Sequence, residues 1–187
     1  TAMMHYARTV ALANTRQIAA AEAERDLFYA ARARMPESRM LFNNTCHDIL
    51  GVAEQMLLGE LAYHKGDHEA AFAHLRRSVE IDDNLPYDEP WGWMQPTRHA
   101  LGALLLEQGH FDEAEAVYRA DLGLDSTLSR ACQHPNNVWS LHGLHECLQR
   151  RGEAAEALYV KQQLDKAVAR AEVPIQASCF CRGRAAA

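Results

Sequence analysis

Hydrophobic positions along the chain fall into eight stretches of helical length, separated by short polar or glycine-bearing breaks. From that pattern we expect helices over 2–14, 17–35, 46–65, 68–82, 94–108, 111–122, 137–151 and 153–171. The alternation leaves no room for a sheet, and the residues from Val173 onward read as an irregular tail.

Three of the breaks repeat. Leu58-Gly59 is followed by Gly66-Asp67-His68, then Ala71 and Leu75. Leu101-Gly102 is followed by Gly109-His110-Phe111, then Ala114 and Tyr118. A weaker third copy runs from Leu144 through Gly152-Glu153-Ala154 to Ala157 and Lys161. The turn glycines at 66, 109 and 152 set a step of 43 residues. This pattern resembles the tetratricopeptide repeat, in which a Leu-Gly pair in helix A precedes a Gly turn and an Ala–aromatic pair in helix B. Small residues suit the point where two helices cross closely, and glycine suits the left-handed end of a helix. A further unit precedes these, with Ala21 and Phe28 in its second helix but Arg16 at the turn position.

The resemblance implies an all-α fold, a right-handed α-solenoid of about four such helix pairs. We expect an array over 1–172 with units at about 2–35, 46–82, 94–122 and 137–171, and a C-terminal tail over 173–187. Because the usual repeat is ~34 residues, each step here carries about nine more, and these fall in extended inter-repeat connections. They are Pro36–Thr45, Asp82–Pro96 and Gly123–Asn137. Two connections carry a more particular likeness. Tyr87-Asp88-Glu89-Pro90-Trp91 with Pro96 and Arg98, and His134-Pro135-Asn136-Asn137 with Trp139 and Gly143, resemble larger uncharacterised bacterial tetratricopeptide proteins. That likeness covers roughly 46–181, and it implies the carboxy-terminal part of a longer parent or a shortened relative.

In this architecture the A helices line the concave face. The positions expected there include Tyr6, Met56, Glu60, Tyr63, His99, Ala103, His142, Glu146 and Gln149. A face mixing Tyr, His and Glu suits a peptide, so the leading expectation is a non-catalytic protein- or peptide-binding scaffold. Trp91 and Arg98 join the partner-binding set from the connecting segment. For Tyr87, Trp91 and Trp93 a role in the core is favoured over an anchoring one.

Composition narrows the field. The chain is 48% hydrophobic with a net charge of −6, and its Lys and Arg form no long run, so no nucleic-acid partner is expected. No stretch approaches the ~20 apolar residues that cross a bilayer. Five cysteines, an odd number, fit a reducing compartment; cytoplasmic localisation is the default, and secretion with intermolecular disulfides the alternative.

His142 and Glu146 share a helix face, with His145 and Cys147 beside them and Cys132, His134, Cys179 and Cys181 as further ligands, which makes metal binding a lesser alternative. His145 falls at the close-packed position of the repeat, and a core histidine is expected there. Cys179-Phe180-Cys181 has one spacer residue, which disfavours a bridge between its two thiols. No nucleophile elbow or phosphate loop is present, so no enzyme activity and no cofactor are expected.

The ends complete the picture. Val173–Phe180 is apolar, and Met3, Met4, Val10 and Leu12 open the first helix. Poorly capped solenoid ends are adhesive. The second expectation is therefore self-assembly into homo-oligomers or filaments.

Overall fold

The computed structural model describes residues 1–182; the last five residues of the expected tail, 183–187, lie outside the described residues. The described residues are all-α apart from one short hairpin and a 3-10 turn at Arg130–Cys132. The helices are α1 (Ala2–Asn14), α2 (Ile18–Ala33), α3 (Cys46–Lys65), α4 (His68–Asp83), α5 (Thr97–Glu107), α6 (Phe111–Leu122), α7 (Val138–Arg151) and α8 (Ala154–Val168). α1 packs on α2, α3 on α4, α5 on α6 and α7 on α8, which is the expected class of fold.

The hairpin was not expected. β1 (Met40–Leu41) pairs antiparallel with β2 (Asn44–Thr45), and Phe42 turns the corner at φ 50°. Its two-residue strands are too short to leave a periodic signal.

All four A–B turns share one hydrogen-bond scheme. In each, the turn residue's N–H reaches back three residues and the next N–H reaches back five: Gly66 to Tyr63 with Asp67 to Ala62, and likewise at Gly109 and Gly152. Arg16 does the same, its N–H reaching Ala13 and that of Gln17 reaching Leu12, with φ at 61°. A side chain is thus held where glycine is favoured. The Arg16 guanidinium compensates by donating to the His64 carbonyl at 3.0 Å. The starts of α3, α4 and α7 are capped by short polar side chains: Thr45 accepts from Asp48, Asp67 from Ala70 and Asn137 from Ser140.

The chain divides into two compact units, one spanning Thr1–Thr97 and the other beginning at Arg98. In the first, Leu75 of α4 lies so close to Gly59 of α3 that a Cβ there would sit 2.7 Å from its Cγ. In the second, the fully buried Tyr118 of α6 is sandwiched between α5 and α7. A Cβ on Gly102 would stand 2.6 Å from its ring, and one on Gly143 only 2.1 Å. Tyr118 therefore locks three helices, and its two glycine neighbours are required by space.

Candidate partner-binding face

On α7, Leu141, Leu144, Cys147 and Leu148 point into the core, and burial pushes the Cys147 thiol up to about 12. Three or four residues apart on another side stand Trp139, His142 and Glu146, all half-buried. His145 is half-exposed and not the core residue its register suggested, because Gly143 takes the close approach to Tyr118.

Onto this face folds the segment that follows α8. Arg182 donates two hydrogen bonds to Glu146, at 2.7 and 2.9 Å. The Phe180 ring meets Trp139 edge-on, centroids 5.1 Å apart. Ser178 and the Tyr118 hydroxyl share a hydrogen bond of 2.5 Å. Burial would raise the Glu146 carboxyl, but the Arg182 hydrogen bonds and charge outweigh it and hold the group below its ordinary value. The His142 imidazole is lowered by burial, which outweighs the opposing charge of Glu146, and its Nδ1 is buried with no hydrogen-bond partner among the described residues.

Next to this face, Asp121 of α6 fastens the connection 123–137. Only 1% exposed, its carboxylate accepts from His99 at 3.1 Å, His134 at 2.8 Å, Asn137 at 2.8 Å and Ser140 at 2.6 Å. Burial alone would raise this group, but the hydrogen bonds from His134, His99 and Ser140 pull it far below the usual carboxylate range. The His134–Asn137 motif is thus a loop fastening.

The first unit treats its candidate residues differently. Tyr6, Met56, Glu60 and Tyr63 are all buried, as are Arg98 and His99 in the second unit. Side chains so placed are not available to a partner, which corrects the expectation that they line an open face. For Tyr6 the cause is a cover: Trp93, 6% exposed, packs edge-on against it with centroids 5.4 Å apart, while Tyr63 stacks on His68 and His99 meets Asp121. The cover is fixed by Asp88, whose carboxylate accepts from the Asn43 N–H at 3.0 Å, the Asn43 side chain at 3.1 Å and the Asn44 side chain at 3.0 Å. Trp91 and Tyr87 of the same segment remain exposed, so the aromatic cluster splits between core and surface.

Glu60 is the odd group beneath this cover. It is 3% exposed and accepts one hydrogen bond, from Asn14 at 2.7 Å. Burial pushes its carboxyl up to about 7, and the Asn14 bond only partly opposes this. Burial first, then the nearby Glu60, raises the Tyr6 phenol as well.

Cys179 and Cys181 are joined by a disulfide, contrary to the expectation from their spacing, since the chain turns at Phe180 and brings their Cα atoms to 5.2 Å. Among the described residues no three His, Cys, Asp or Glu side chains gather to hold a metal ion. Nor is any described helix long and apolar enough to cross a membrane.

A family model described as tetratricopeptide repeat matches residues 52–120, from within α3 to within α6. The matched segment carries the tetratricopeptide repeat. A comparison with curated proteins returns no match. At the general level the repeat identifies a protein-interaction scaffold, of a family that is generally non-catalytic. Of the residues that form the α7 face, His142 and Glu146 were expected there from the helix A register. Ser178, Phe180 and Arg182 were missed, although the apolar run at 173–180 was a signal that the tail packs on something.

Proposed function

We propose that this protein binds a protein or peptide partner through the first-helix face of its repeats, with 1–172 acting as one array and the segment from 173 as an appendage. The observation that carries the reading is the α7 face itself. Trp139, His142 and Glu146 lie together outside the hydrophobic core and combine an aromatic surface, an imidazole and a carboxylate. Such a set offers stacking, hydrogen bonding and charge to an incoming chain. Probing a synthetic peptide array with the full chain tests it. Trp139→Ala and Glu146→Gln should each weaken the captured peptides at least ~10-fold. Capture unaffected by both substitutions contradicts the reading.

A second reading, self-assembly, is favoured by the outer side of α8. Leu158 and Tyr159 there are each 64% exposed, beside each other on the last helix of the repeat region. Light scattering across a concentration series checks it: Leu158→Glu should lower the mass of any oligomer, and a monomer at every concentration overturns it.

A further inference from the structure

The segment on the α7 face has the features of a bound peptide. Residues 173–182 contain no helix or strand, and they reach the face through side chains. Arg182 presents the fork of its guanidinium to both oxygens of Glu146, a geometry that a lysine ammonium does not reproduce. Glu107 of α5 adds a second negative charge toward the same guanidinium. Phe180 leans on Trp139 yet stays 74% exposed, so this contact is a surface one and not part of the core. Cys179 and Cys181 turn inward on either side, and their bridge orients Phe180 between them.

We propose that this segment is an internal stand-in for the partner: the α7 face takes an irregular peptide carrying an arginine two residues after an aromatic, and 178–182 blocks that site until displaced. The proposal deepens the peptide-binding reading and rests on it. The chemistry of the occupant is set by the host residues. Trp139 selects an aromatic ring, Glu146 with Glu107 selects a positive planar group, and the spacing between them is spanned by two residues. Displacement is feasible because the anchoring ion pair is partly solvated, each side chain being 18% exposed. A tethered segment acts at an effective concentration on the order of millimolar, so an external peptide competes poorly until the tether's own contacts are weakened.

The test uses the full chain and a fluorescent peptide of residues 173–182 in its disulfide form, read by anisotropy. The doubly substituted chain Phe180→Ala/Arg182→Ala loses the two surface contacts and should retain its helical circular dichroism. It should bind the peptide at least ~10-fold more tightly than the unsubstituted chain. Adding Glu146→Gln should abolish that gain, and a peptide with Arg182→Lys should bind several-fold more weakly. Equal binding by the opened and unsubstituted chains overturns the proposal, as does no binding by an opened chain of intact helicity. If that peptide fails while others from the array still bind in a Trp139-dependent way, only this inference falls. If nothing binds to either chain, the peptide-binding reading falls with it.

Discussion

The two units cover their first-helix faces by different means. In the unit spanning Thr1–Thr97, an aromatic plug, Trp93, is driven against Tyr6, and the segment that carries it is pinned by buried Asp88, which accepts from Asn43 and Asn44. In the unit beginning at Arg98, the cover is an ion pair, a shared hydroxyl bond and a phenylalanine that remains mostly in water. The first cover puts its aromatic in the core, whereas the second buries Ser178, Cys179 and Cys181 and leaves its aromatic, Phe180, at the surface. Burial of apolar area stabilises roughly in proportion to the area removed from water, whereas a partly solvated ion pair contributes little. Position in the repeat therefore does not decide which face is available. What lies on it does.

The same contrast appears in two buried carboxylates. Glu60 has one hydrogen-bond donor and is pushed up to about 7, while Asp121 has four side-chain donors and is held far down. Donor count decides the sign, since burial penalises both anions. One carboxylate is tolerated beneath its cover; the other organises the loop around it.

Substitutions rank the elements of this comparison. Tyr118→Ala should do most damage, about 4 kcal/mol by denaturant unfolding, because it empties the space between Gly102 and Gly143 and removes the anchor of Ser178. A loss under about 1 kcal/mol would mean that the three helices are not locked there.

Asp121→Asn should cost about 3 kcal/mol at neutral pH, since an amide in place of the carboxylate leaves donors unmatched. Folding depresses this group, so its stabilisation is present above the ordinary value of 3.8 and fades as pH falls below it. Urea melts of both chains across acid pH should converge.

Glu60→Gln has the opposite sign. Folding raises this carboxyl, so between 4.5 and about 7 the folded chain holds a proton that the unfolded chain has released, and stability drops as pH climbs through that window. The amide keeps an oxygen for Asn14 and carries no charge. It should stabilise by up to about 3 kcal/mol at pH 8 and by almost nothing at pH 4. Equal melting midpoints at pH 8 would show that Glu60 is better solvated than its burial indicates.

Asp88→Ala should cost about 2 kcal/mol and loosen the plug, seen as a red shift of tryptophan emission as Trp93 meets water. Phe180→Ala, by contrast, should change stability by about 0.5 kcal/mol or less in the same urea melts. A large loss there would place the second cover in the core and erase the difference between the units.

Local rules carried well from sequence to structure, and distant pairings did not. Gly66, Gly109 and Gly152 marked their turns because a left-handed residue nearly always has to be glycine. Gly102 was legible as a close-crossing position from the repeat register, but its partner there, Tyr118, was not. Arg16 hid its turn because the compensating bond to His64 spans 48 residues. Glu60 read as an accessible groove residue for the same reason: its partner Asn14 is 46 positions away, and the plug that covers Tyr6 comes from a connection with no periodicity. Arg182 meets Glu146 across 36 positions. Charge complementarity at that range has too many alternatives to be read from the chain.

Hydrogen exchange on the full chain at neutral pH, followed by mass spectrometry, addresses the difference between the two covers most directly. Amides within 173–182 should exchange at least ~10-fold faster than those within 86–94, because a displaceable segment opens without unfolding its unit. Equal protection of the two segments would contradict the account.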